Sequence, residues 1–210
     1  LRATWVSDGY RDDEQERAAF RMAIGWLEGY VSGLDPSHDP VGVERVVAAK
    51  TGLLAFNGRA DRIDRRGDEL VIVDYKTGRY VADADDARGS SALALYAYAS
   101  ARVFRRPCRR VELHHLPSAT VAAHEHTDAS LERAVTRAEA TARDIRAAES
   151  SVADGVDPDV AFPTRPGTIC GWCDFRKVCP AAEVIPAKLP WSAVADQLAA
   201  HDAGPAAAPA

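Results

Sequence analysis

The chain has 210 residues, of which 47% are hydrophobic and 27% charged, the composition of an ordinary globular protein long enough for one substantial core. No apolar run approaches a bilayer span and no charged leader precedes an apolar segment, so neither membrane insertion nor secretion is expected, and a cytoplasmic location follows by default. A formal net charge of -5 excludes a uniformly basic nucleic-acid binder and leaves only local basic patches for such contacts.

The chain starts at Leu1-Arg2 rather than at Met, as a fragment or a processed chain would. From Asp12 to Val31, acidic residues precede apolar side chains at Ala19, Met22, Ile24, Trp26, Leu27 and Tyr30, which predicts an amphipathic helix packed into the core. Asp35-Pro36-Ser37 and Asp39-Pro40 break the chain, and Val41 to Ala49 reads as a strand interrupted by Glu44.

The next stretch organises the rest. LLAFNGRADRID and LVIVDYK are rich in strand formers and are separated by Arg65-Arg66-Gly67-Asp68-Glu69, a run with turn chemistry, so they predict a hairpin. With Gly67-Asp68 as a two-residue loop, Arg66 faces Glu69, Ile63 faces Ile72, and Asp61 falls opposite Asp74. Strand alternation puts Lys76 on the face of Asp74, with Val73 and Tyr75 on the other. Two carboxylates a few ångströms apart repel, whereas Mg2+ or Mn2+ takes oxygen ligands and stabilises both as anions. The Lys76 ammonium is then placed to orient an attacking water and to stabilise charge on a phosphoryl oxygen, the chemistry of phosphodiester hydrolysis. The bland alternative is a solvated hairpin with a surface Asp-Lys pair. The continuous apolar run Val71-Ile72-Val73 argues against it, because such a run marks a strand covered on both faces.

Downstream, Val81 to Gly89 is acidic and loop-like, and Ser90 or Ser91 can cap a helix through Leu93, Tyr96, Ala97 and Phe104. Arg109 to Pro117 and Thr120 to His126 read as two more strands. Their histidines, His114, His115, His124 and His126, form no clear ligand set and are expected at the surface or on an edge strand. Asp128 is a plausible cap for a covering helix from Ser130 to Ser150, with Leu131, Val135, Ala138, Ala142 and Ile145 at three-four spacing. Arg102, Arg105, Arg106, Arg109 and Arg110 form one basic cluster, and Arg59, Arg62, Arg65 and Arg66 another; each is either a solvated face or a phosphate contact.

Three of the four cysteines, Cys170, Cys173 and Cys179, lie within ten residues in the order C-x2-C-x5-C-P. In a reducing cytosol this points to metal rather than a disulfide. Zinc asks for a fourth nearby ligand that does not follow, and an iron-sulfur cluster also needs four thiolates but accepts scattered ones. Cys108, among arginines on a strand, is expected to be a bystander. Beyond Pro186, one short helix gives way to an Ala- and Pro-rich tail expected to be disordered over much of residues 186–210.

Gly58-Arg59-Ala60-Asp61-Arg62 followed by Val73-Asp74-Tyr75-Lys76-Thr77-Gly78 resembles the paired motifs G-x-x-D-R and D-Y-K-T-G of the PD-(D/E)xK nuclease superfamily, specifically its RecB-like branch. The resemblance covers most of residues 1–185. It implies an α/β, restriction-endonuclease-like core with a mixed central sheet flanked by helices, and metal-dependent cleavage of DNA. Asp61 and Asp74 would be metal ligands and Lys76 the catalytic lysine. Glu44 stands where that family often has a glutamate of the metal environment; a salt bridge to Arg45 or Arg62 is the alternative. Tyr96 matches the tyrosine of the family's Q-x-x-x-Y helix, where it would orient substrate rather than only pack, but Ala92 replaces the glutamine. Cys170, Cys173 and Cys179 match the C-terminal cysteines of iron-sulfur members such as AddB, which hold a 4Fe-4S cluster with a fourth cysteine far upstream, in a segment expected to lie outside this sequence. By resemblance the protein would be an exonuclease of DNA repair or recombination, working beside a helicase. The rivals are a nuclease-like module that binds DNA or a partner without cutting, motivated by Ala92, and a small zinc-binding interaction protein, which leaves the hairpin unexplained.

Overall fold

The computed structural model describes residues 1–35, 39–182, 188 and 190–202. Helix α1 (Asp13–Ser32) starts where the Asp12 side chain accepts the Gln15 N–H, with three acidic residues in its first turn, an arrangement that suits the positive end of a helix. Strands β1 (Gly42–Lys50), β2 (Ala55–Arg66) and β3 (Glu69–Lys76) follow as an antiparallel meander. Gly67, at φ +62°, opens the two-residue turn between β2 and β3, a backbone conformation that glycine adopts without penalty.

Residues 81–89 are not all loop, because α2 (Ala84–Gly89) occupies most of the segment. Asp83 accepts the Asp85 and Asp86 N–H groups while the Asp86 carboxylate accepts that of Asp83, closing a reciprocal cap. Helix α3 (Ser91–Phe104) is capped by Ser90 and ends at Arg105, which adopts the left-handed conformation. Its buried Ala94, Ala97 and Ala99 let it lie close on the sheet. The crossover through α2 and α3 makes β4 (Cys108–His115) parallel to β3, and β5 (Thr120–Glu125) returns antiparallel, giving a mixed sheet in the order β1-β2-β3-β4-β5. Helix α4 (Asp128–Ala153) is capped by Thr127 rather than Asp128, whose carboxylate is bound by Arg109. A short α5 (Pro158–Ala161), three 3-10 turns in and between which the C-terminal cysteines lie, and α6 (Trp191–Asp202) complete the described chain.

The core lies between the sheet and α3, with Ile63, Leu70, Ile72 and Val111 at most 1% exposed; burying each such side chain contributes roughly 1.5–3 kcal/mol. Helix α1 stays out of this core. It forms a second apolar layer with the N-terminal residues and α6: Trp5 meets Phe20 edge-on, Tyr10 meets Trp191 likewise, and Gln15 donates to Ser192 O and Asp196 at 2.8 Å each. So α6, within the stretch expected to loosen after Pro186, is a docked helix, while Pro186 itself and residues 203–210 lie outside the described residues. No helix among the described residues is long and apolar enough to cross a membrane.

Candidate active site

The β2–β3 register matches the two-residue-loop expectation, with Arg66 opposite Glu69 and Ile63 opposite Ile72. The bonded ladder stops at Arg62–Val73, one pair short of Asp61 and Asp74. There the Asp61 carboxylate replaces a main-chain acceptor, taking the Tyr75 N–H at 2.9 Å. One acidic side chain is thereby pinned to the backbone between Asp74 and Lys76. Val71 and Val73 are at most 2% exposed, so the strand is covered up to the point where its charged residues emerge. The Lys76 ammonium lies 2.6 Å from Asp74 Oδ2. The contact is off hydrogen-bond geometry, and this buried oxygen has no hydrogen-bond partner among the described residues.

Glu44 sits in β1 at φ +47° and drops out of the β1–β2 pairing between Val43–Arg62 and Arg45–Ala60. Its carboxylate reaches Arg59 at 2.9 Å, not Arg45 or Arg62. Tyr96 is half-buried, and its ring lies against Gly58, where a Cβ would collide with it. This close approach gives a physical reason for glycine at the start of G-x-x-D-R. The Tyr96 hydroxyl makes no hydrogen bond among the described residues, and Ala92, one turn earlier, is exposed.

Behind the hairpin, on the face away from α3, lies a polar network that sequence reading missed. Arg62 donates to the hydroxyls of Tyr30 and Tyr75, both at 3.0 Å, and to Asp64 at 2.8 Å. Tyr30 bonds His114, which bonds Glu112, and Glu112 also takes Arg66 and Arg110 at 2.6–2.8 Å. Burial works to raise the Glu112 carboxyl, but the bonds from His114, Arg66 and Arg110 win and hold it well below the usual carboxylate range. Arg62 and Tyr75 are motif residues, so the network braces the strand that carries Asp74. His114 and His115 are 6% and 3% exposed, not surface groups. His115, paired with Lys76 across β3–β4, donates from Nε2 to the Gly78 carbonyl at 2.6 Å while Nδ1 takes the Ser118 hydroxyl, fixing the loop after Lys76.

Among the described residues, no group of three or more His, Cys, Asp or Glu side chains is arranged to hold a metal ion. For Mg2+ or Mn2+ that is no obstacle, because such ions are commonly held by one or two carboxylates with water and substrate oxygens. The donor set fits: Asp61 anchored through one oxygen, and Asp74 with a buried oxygen that meets only the Lys76 ammonium among the described residues. The cysteines do not fit a four-thiolate cluster as they stand. Cys170 and Cys179 are half-buried and Cys173 exposed, whereas Cys108 is buried in the core, where burial and the charges of Glu69 and Glu125 push its thiol up to about 12.

Residues 2–180 match the family model of the PD-(D/E)XK nuclease superfamily. No curated protein matches the chain. Among solved structures, the crystal structure of SSO0001 is similar at 20% identity and a TM-score of 0.39, over 81% of this chain and 72% of that one.

Proposed function

The chain belongs to the PD-(D/E)XK nuclease superfamily, and from that premise we propose that it is a metal-dependent deoxyribonuclease cutting at Asp61, Asp74 and Lys76. The observation that carries the reading is Asp74: a carboxylate where a buried strand emerges, with the Lys76 ammonium 2.6 Å from its Oδ2. Asp61 and Asp74 would hold Mg2+ or Mn2+, which when bound supplies a Lewis acid at the phosphoryl group and an activated water. Asp61 keeps its orientation through the Tyr75 N–H. Lys76 orients the attacking water and offers its positive charge to the phosphoryl oxygens as they gain charge. Glu44, now paired with Arg59, would be the further carboxylate of the metal set, and the Tyr96 hydroxyl orients substrate.

The finer assignment is a RecB-like exonuclease of DNA repair or recombination, working beside a helicase. Its support is the motif pair and the C-x2-C-x5-C-P spacing, which also support Cys170, Cys173 and Cys179 as ligands of a 4Fe-4S cluster completed by a further cysteine. A non-cutting DNA- or partner-binding module is the second reading, favoured by the exposed Ala92 where an amide would reach the substrate.

Incubating the protein with single-stranded and duplex DNA and Mn2+, beside Asp74→Ala, separates the two readings. Cutting requires degradation by the native protein and a loss of more than about 100-fold in the variant. Equal degradation by both proteins, or none by either, rejects the enzyme.

A further inference from the structure

At the end of β4 remote from Lys76, a pocket of about 360 Å³ is lined by Arg88 of α2, His124 of β5, His126 just beyond it, and Arg133 and Arg137 of α4. Several arginines on the sheet are held by carboxylates: Arg59 by Glu44, Arg62 by Asp64, Arg66 and Arg110 by Glu112, and Arg109 by Asp128. Arg133 and Arg137 are exposed, one turn apart, and in no ion pair among the described residues. Arg88 pairs with Asp85 at 3.1 Å while remaining largely exposed. The N-terminus of the 26-residue α4 adds partial positive charge at the same place.

A second observation points to a ligand. His126 is 5% exposed, and its Nε2 is buried with no hydrogen-bond partner among the described residues. The Ser130 hydroxyl gives its only proton to the Thr127 carbonyl at 2.8 Å, so at 3.0 Å it accepts from His126 Nδ1. In the neutral ring Nε2 is therefore a buried lone pair on a residue that lines an arginine-rich pocket, and meeting an anion requires it to take up a proton. Burial, then the charge of His124, whose ring stands 4.7 Å away, hold His126 below the ordinary histidine range. The groups around it are His124, Arg88, Arg133 and Arg137, all able to carry positive charge, and Glu125. Glu125 lines the pocket, but alternation along β5 turns its side chain to the other face from His124.

We propose that this pocket binds a backbone phosphate of a nucleic-acid strand, clamped by Arg133, Arg137 and Arg88 and closed by protonated His126. The choice of nucleic acid as the phosphate's carrier rests on the nuclease reading; the anion chemistry does not. His124 pairs with Val111 and Lys76 with His115, so the pocket lies roughly 13 Å along the strand direction from the proposed cutting centre. It is a separate contact to the strand, outside the chemistry.

The test is binding without metal: fluorescence anisotropy of labelled single-stranded and duplex DNA on the native protein in chelator, beside the double variant Arg133→Ala/Arg137→Ala. Both positions are exposed, and circular dichroism checks that the variant folds. The expected result is an affinity about tenfold weaker and a log–log salt slope smaller by about two. Inorganic phosphate should compete, and native affinity should rise as pH falls from about 8 to about 6, because binding takes up the proton on His126. Unchanged affinity and salt slope in the variant overturn the proposal. Inorganic phosphate moving the His126 imidazole resonances while DNA binding ignores the double variant also overturns it, leaving a site for small free oxyanions. A protein that binds as expected but does not cut would reject the nuclease reading alone.

Discussion

Gly58 and Tyr96 show how a motif position acquires its identity from a single contact. The ring lies where a Cβ would sit, so Gly58→Ala should destabilise the protein by roughly 1–3 kcal/mol through overpacking. Combining it with Tyr96→Ala should cost less than the sum of the two single changes, because one contact underlies both; urea unfolding of the four proteins measures the difference. The Asp61 carboxylate illustrates the complementary case. The hairpin register puts it one pair past the end of the bonded ladder, but its bond to the Tyr75 N–H could not be read that way, because the register says nothing about which acceptor serves a strand where the ladder stops. Glu44 was legible as an interruption of β1 and not as a partner of Arg59. Its positive φ takes it out of the alternation from which a partner would be guessed.

At the scale of elements, the hairpin, α3 and the strand pair after it follow from periodicity and turn residues. The segment 84–89 was missed because its acidic composition resembles a loop, although Asp83-x-x-Asp86 is a capping pattern built from aspartates. The polar network ties β2, β4 and α1 together through Glu112, whose folded-state carboxyl sits far below its unfolded value. A carboxyl depressed by folding contributes stability above its unfolded value of about 4.3, and that contribution is lost as pH falls through the folded value. Glu112→Gln should therefore cost about 2 kcal/mol at neutral pH, discounted for the half-exposed arginines. Its deficit should shrink below about pH 4. Thermal melts of the two proteins from acid to neutral pH check both the size and the direction.

Across the whole molecule, two apolar clusters of different character coexist. The sheet and α3 form the core, whereas α1, α6 and the N-terminal residues meet around a cleft of about 480 Å³ that also touches Thr77 and Leu116. Fewer buried groups hold this second layer, so Trp191→Ala should speed amide exchange in α1 and α6 while leaving β2 to β4 unchanged, as read by hydrogen-exchange mass spectrometry. The net charge of -5 does not describe any one surface. Carboxylates neutralise most arginines of the two clusters picked out along the chain, whereas Arg133 and Arg137, beside His126, are in no ion pair among the described residues.

Sequence alone determined the hairpin with its register, the two nuclease motifs and the position of α3. Each depends on neighbours a few residues away, on strand or helix period, or on the backbone freedom of a glycine. Tertiary structure decided which faces are covered: that His114, His115 and His126 are buried, that Arg62 braces Tyr75, and that α1 pairs with α6 rather than joining the core. Burial and bonding partners of this kind depend on residues far apart in the chain, as Tyr30 is from His114, 84 positions away. Local patterning carries no record of them.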